Sequence, residues 1–400
     1  MRLLKVILIG MLVLGSQSCQ RTPTGVQTFD RDHIPQRLSD WGLFVQAALR
    51  NEQQLQLNDR VQVYDLSTPL FTDYAQKLRT VWLPPGQTAQ YQADDIFTFP
   101  VGTIISKTFY YPLDTANGPN DGHRVLLSEG SLFGFDGKGL MLNQVRLLET
   151  RILMHQSDGW QAIPYVWNRE QTEAFLAPGG DWIELSAYDP QQDQTNMAFD
   201  YLVPDTNQCA GCHASNHSTG EPVPIGPKAR YLNTVFSYFQ GAMNQLDYWQ
   251  AQGLLTDVPE QHQRPQAVVW NTQTHNIEQR ARAYLDINCA HCHNTQGPAD
   301  TSGLFLDWFN EDPRSLGLCK PPVAAGKGSG GHQYAIVPGA AHESILHYRM
   351  LSTDPGQMMP ELGRSLVHEQ GLALIAHWIN QLPGQCNGTR ANSLSYRTKG

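Results

Sequence analysis

Short runs of Val, Ile, Thr and aromatic residues, cut by Pro and Gly, set the texture of residues 38–205. "QVYDL", "TVWL", "IFTF" and "GTIISKTFYYP" are examples, and such runs predict strands because branched and aromatic side chains pack well on a pleated surface. The clearest pairing signal is "RLLETRILMHQSDGWQAIPYVW", where Asp158-Gly159 lies between two strand-like segments and the glycine supplies the positive φ of a tight reversal. "DTANGPNDGH", at 114–123, predicts an exposed loop. The expected architecture of this region is an antiparallel sandwich or barrel.

Helical spacing appears from about residue 206 onward. "NTVFSYFQGAMNQLDYWQAQGLL" (233–255) and "IEQRARAYLDINCAHCH" (277–293) place apolar residues three and four apart, separated by the polar, Pro-bearing "TDVPEQHQRPQ". Leu372, Ile375, Ala376, Ile379 and Leu382 form one stripe in "EQGLALIAHWINQL", closed by Pro383-Gly384. The pattern therefore predicts a multidomain chain: an all-β unit, an antiparallel sandwich or barrel, followed by all-α regions. The expected boundaries are a leader over 1–18, a linker over 19–37, a β-rich domain over 38–205, a first helical region over 206–262, a second domain over 263–388 and a tail over 389–400.

The leader is read from "MRLLKVILIGMLVLGSQSCQ": Arg2 and Lys5 precede an apolar stretch too short to span a bilayer as a stable helix, which is the plan of an export signal. Cys19 after small residues predicts lipidation as in bacterial lipoproteins, although Ser16 stands where those proteins usually carry Leu. Expected localisation is the periplasm or the outer membrane, with membrane contact only through that anchor. A net charge of −9 with no long Lys/Arg run argues against nucleic acid and favours basic redox protein partners met in salt-sensitive encounters.

Cysteine placement carries the chemistry. Cys209, Cys212 and His213 in "QCAGCHA" repeat the spacing of Cys289, Cys292 and His293 in "NCAHCHN". With 7 Cys and 14 His in 400 residues, chance supplies on the order of 0.004 copies of Cys-x-x-Cys-His. Two thiols at that spacing can each add across a haem vinyl group, and the adjacent imidazole then meets the iron. The expectation is two covalently bound haem c groups with His213 and His293 as iron ligands. A zinc site and a thioredoxin-like dithiol are the competing readings; neither explains the histidine. His291 is a filler position between the cysteines.

"DPGQMMPELG" offers the opposite ligand of the second iron: Met359 beside Pro360 first, then Met358, then Met350, since a thioether favours Fe(II). Core packing is the ordinary alternative for any Met. The order helix, motif, long loop, Met-Pro, final helix resembles a class I cytochrome c domain, with Tyr284, Leu285 and Trp378 as its packing residues. For the first iron the candidates between the motifs are Met243 first, then His262 and His275, while His217, four residues past His213, is too near to wrap around its own haem and could reach only a neighbouring one; with none, the site would be open to a small ligand. In oxidising surroundings the two remaining cysteines, Cys319 and Cys386, form a disulfide, the alternative being two free thiols.

"YDLSTPLFTDYAQKLR", "FPVGTIISKTF", "LLETRIL", "NQCAGCH", "IGPKARYLN", "ARAYLDINCAHCH", "IVPG", "MMPELG" and "WINQL" together resemble a family of exported bacterial dihaem c-type cytochromes of largely undefined role. The resemblance spans nearly all of the mature chain and implies two haems and a β-rich region without supplying a substrate. A looser similarity to dihaem cytochrome c peroxidases is weakened by the 80-residue spacing of Cys209 and Cys289 and by the large β region ahead of them. The functional expectation is a carrier of single electrons between redox partners. The alternative is a haem-dependent oxidoreductase of peroxidase type, open at the first haem. A third reading gives the β region a surface-binding role through Trp160, Trp167 and Trp182.

Overall fold

The computed structural model describes residues 25–386 apart from 52, 117–119, 121, 129, 131, 190–193, 215–217 and 324. The leader, Cys19, His217 and the tail lie outside the described residues, as does part of the 114–123 loop. Among the described residues no helix is long and apolar enough to cross a membrane.

A six-stranded antiparallel sheet is the frame, in the order Ala174–Leu176, Gly159–Trp167, Val145–Gln156, Ile104–Pro112, Gln76–Trp82, Gln62–Tyr64. Its central hairpin closes at Gln156 opposite Gly159, so Ser157-Asp158 make the turn and Gly159, at φ 117°, opens the returning strand. Period-2 alternation then splits the side chains between two cores. Leu78, Tyr110, Leu147 and Ile152 face a large cluster that also takes in Leu232, Leu246 and Trp249. Phe109, Tyr111 and Leu148 face a second cluster, with Leu185, Tyr201 and Val203 from a smaller three-stranded sheet.

Two features correct the expected fold class. The sheets are not antiparallel throughout, since Arg124–Leu126 runs parallel to Asp181–Asp189 and Leu255–Thr256 parallel to Ala89–Gln90. Among the described residues no all-α, cytochrome-like region follows the β-rich half. The stretch predicted as one helix over 233–255 forms a hairpin, Val235–Tyr238 with Gly241–Asn244, before a short helix, Gln245–Ala251. Alternating aromatics there satisfy a strand as well as a helix, and Leu246 and Trp249 are drawn into the sheet's own core. Among the described residues the last third holds three α-helices, Ile277–Cys289, Ile345–Leu351 and Glu369–Gln381, joined by irregular segments.

The first and last of these pack closely. Gly371 sits where any Cβ would collide with the Tyr284 ring, which explains a glycine inside a helix. Trp378, Ile375 and Leu285 fill the same core. Trp160 and Trp167 are buried, leaving Trp182, 64% exposed, as the one of the three named tryptophans available to a surface role.

Asp73 fastens this C-terminal unit to the sheet. Its carboxylate accepts from the backbone N–H groups of Ser365 at 2.8 Å and Leu366 at 2.7 Å. Burial raises its pKa from 3.8 to about 6, against those hydrogen bonds and Arg364, which pull it down. The folded chain thus holds a proton that the unfolded chain releases between these values, so this group's contribution is complete below pH 3.8 and is lost as pH climbs through about 6. Asp73→Asn should remove that falling slope. Urea midpoints taken at successive pH values for both proteins provide the check, and parallel curves would refute it.

Candidate functional site

Each Cys-x-x-Cys-His motif is set by a capped helix. Asp205 accepts from the Gln208 N–H at 2.8 Å while its own N–H donates to Gln208 Oε1 at 3.0 Å, and this box starts Thr206–His213, which carries Cys209, Cys212 and His213. Asn276 caps Ile277–Cys289 through the Gln279 N–H at 2.9 Å, and the next turn, with the His293 N–H on the Cys289 carbonyl at 2.9 Å, presents Cys292 and His293. The His213 Nδ1–H donates to the Val223 carbonyl at 2.8 Å, and His293 Nδ1 lies 3.4 Å from Ser302 Oγ. Burial lowers both imidazoles to a pKa of about 4, so each is neutral with Nε2 unprotonated where Nδ1 keeps the hydrogen.

The two motifs meet. Cys292 Sγ is 3.9 Å from the Gly211 carbonyl of the first motif. Cys212 and Cys292 share a hydrogen bond that lowers the Cys212 pKa to about 4 and raises that of Cys292. Cys209 and Cys289 are pushed up by burial, to about 11 and about 12.

A cavity of about 430 Å³ opens at this junction. Cys212, Cys289, Cys292 and His293 line it together with Met350 and Met359, and Leu304, Leu306, Ile345 and Leu346 make its wall apolar. Lys320, Arg349 and Arg364 supply cations to the same lining. No family model, curated protein or solved structure matches the chain.

Other expected residues are placed elsewhere. Met358 is buried, while Met243 is 44% exposed on the 241–244 strand. His262 lies in a separate polar cleft with Asn233 and Arg264, and His275 is exposed. The Cys319–Cys386 disulfide is formed, and the four cysteines of the motifs are free thiols.

The structure corrects the expectation of two covalently bound haem c groups. Among the described residues no three His, Cys, Asp or Glu side chains converge where a metal ion could be held. The motifs also share one wall instead of each heading its own helical pocket, and the surrounding fold is not that of an all-α cytochrome. Of the three expected ligands, His293 and Met359 line the cavity and His213 does not.

Several lining residues had no functional reading in the sequence. Phe71 stacks on His368 with ring centroids 4.1 Å apart, and His368 Nδ1 pairs with the Tyr284 hydroxyl at 2.9 Å. The Phe71 N–H donates to Asn288 Oδ1 at 2.8 Å, tying the sheet's entry segment to the residue just before Cys289. A lone Phe or His carries no local signal for such contacts.

Proposed function

We propose that this chain is an exported redox protein that passes single electrons between partners outside the cytoplasm, with its redox-active group seated in the cavity between the two motifs. One observation carries the reading: Cys212 and Cys292, 80 residues apart in the sequence, come together on a cavity that also exposes a neutral imidazole and a thioether. Soft sulfur groups and an uncharged imidazole in a mostly apolar pocket suit a group that changes charge without taking up water. The lining cations Lys320, Arg349 and Arg364 suit an anionic edge on that group. The leader-like amino terminus favours the periplasm or the outer membrane surface as the place of work.

A second reading rests on the contact between Cys212 and Cys292. Two thiols there could form a disulfide, giving two protons and two electrons to an oxidised thiol-reactive partner, and Cys212 is already the better nucleophile.

The test is intact mass and an optical redox titration of the full chain exported by a bacterial host. The first reading expects a bound group, seen as added mass or an extractable chromophore, that titrates reversibly with one electron. Met359→Ala should then shift the midpoint potential. Bare chain mass with the loss of four hydrogens, two from Cys319–Cys386 and two from Cys212–Cys292, would select the disulfide. A bare chain lacking only the two hydrogens of Cys319–Cys386 that exchanges no electrons would end both.

A further inference from the structure

Register brings together four cations that the sequence scatters. Arg79 pairs with Lys107, and Lys107 with Arg151, so three basic side chains stand in one row across three neighbouring strands. Lys77 pairs with Phe109, which pairs with Glu149, making the adjacent row on the same face. Like charges directly opposite one another destabilise a sheet.

Two acids answer part of this charge. Asp65 Oδ1 accepts from Arg79 at 2.7 Å, and Glu149 takes Arg151 at 2.7 and 2.5 Å while also accepting from the Tyr201 hydroxyl at 2.7 Å. Lys77 donates to the Ala75 carbonyl at 2.8 Å. Among the described residues Lys107 makes neither a hydrogen bond nor an ion pair, and its Nζ has only the Phe109 ring, 5.8 Å away. Two basic side chains, Lys77 and Lys107, thus have no acid on a covered sheet face, where burial works against their charged forms unless an anion completes the arrangement.

The face is not sealed. Lys107 is partly exposed and the Arg151 side chain keeps 25% of its surface open. The helix that carries the first motif packs on Gly159–Trp167, the strand paired with the one that carries Arg151.

We propose that the Arg79–Lys107–Arg151 row, with Lys77, is a binding site for a carboxylate group, Lys107 and the open edge of Arg151 being its donors. A guanidinium edge and a free ammonium side by side match the two oxygens of one carboxylate. That carboxylate could belong to a free small polycarboxylic acid or to the group seated in the neighbouring cavity. Only the second source rests on the redox reading above. The competing account, in which Lys107 sheds its proton and binds nothing, agrees with a pKa lowered to about 7 by burial and by Arg79 and Arg151.

Calorimetric titration of the full chain with citrate decides between them, using wild type, Lys107→Met and Lys107→Arg. Citrate binding that weakens at least tenfold in Lys107→Met and returns in Lys107→Arg supports the site with a free ligand. If citrate does not bind because a carboxylate is already present, the as-isolated protein should carry a bound group whose occupancy falls in Lys107→Met and recovers in Lys107→Arg. No citrate binding by wild type together with no group lost from Lys107→Met overturns the proposal, whatever the redox titration shows. Arg151 is left intact throughout, because removing it would strand the buried Glu149.

Discussion

Asp286→Ala should destabilise the protein by about 3–5 kcal/mol, the usual cost of breaking a buried ion pair from one side. The Asp286 carboxylate accepts from Arg230 Nε at 3.1 Å and Nη2 at 2.7 Å, from the Tyr231 hydroxyl, and from the Trp308 N–H at 2.9 Å. Arg230 and Asp286 are 5% and 6% exposed, so neither partner can turn to water when the other is removed. The pair also spans the molecule's main seam: Arg230 and Tyr231 belong to the short helix Ala229–Leu232 packed on the sheet, while Asp286 lies on Ile277–Cys289, three residues before Cys289. Loss of this clamp should therefore loosen the second motif as well as lower stability. Urea unfolding of the single variants and of Arg230→Met/Asp286→Leu provides the measurement. The double variant should recover most of the loss, because an apolar pair of similar volume leaves no stranded charge. A single-variant cost below about 1 kcal/mol would show that the pair is solvated and that the seam is held elsewhere.

What the sequence disclosed follows the range of the interactions involved. The helices at 277–289 and 369–381 were legible because their apolar spacing repeats over several turns, and the 145–167 hairpin because its signal lies within a few residues. Its turn was misplaced by one position, since Gly159 meets its positive-φ requirement as the first strand residue and not inside the turn. The 233–255 stretch misled because its aromatics fit two periods and tertiary burial chose between them. The cysteine motifs were plain, but their meeting at Cys212 and Cys292 is a contact between segments 80 residues apart, which no local pattern encodes. The Arg79–Lys107–Arg151 row is hidden for the same reason: strand register alone makes neighbours of residues that are 28 and 44 positions apart. Pairing of Cys319 with Cys386 was legible by counting, once four cysteines had been given to the motifs.

Reduction of that disulfide should cost about 2–4 kcal/mol, because opening a loop of this length restores chain entropy to the unfolded state. The two cysteines lie 67 positions apart, and the closed loop contains the helices Ile345–Leu351 and Glu369–Gln381 as well as Met350 and Met359. Cys319 is also fixed by its own backbone, its N–H donating to the Ile336 carbonyl at 2.9 Å, and its neighbours Lys320, Pro321 and Pro322 line the cavity. Tethering the chain end after the last helix to this position therefore shapes one wall of the site. Cys319→Ala/Cys386→Ala should lower the urea midpoint and abolish its sensitivity to dithiothreitol, which wild type should show. The cavity should respond too: whatever group or thiol chemistry the motifs support should exchange faster with solvent in the double variant, read as quicker alkylation of Cys212 or easier loss of a bound group. Unchanged midpoints under reduction would mean that the helical core around Trp378 and Ile375 holds the cavity wall without the tether, and that the cross-link serves only the chain terminus.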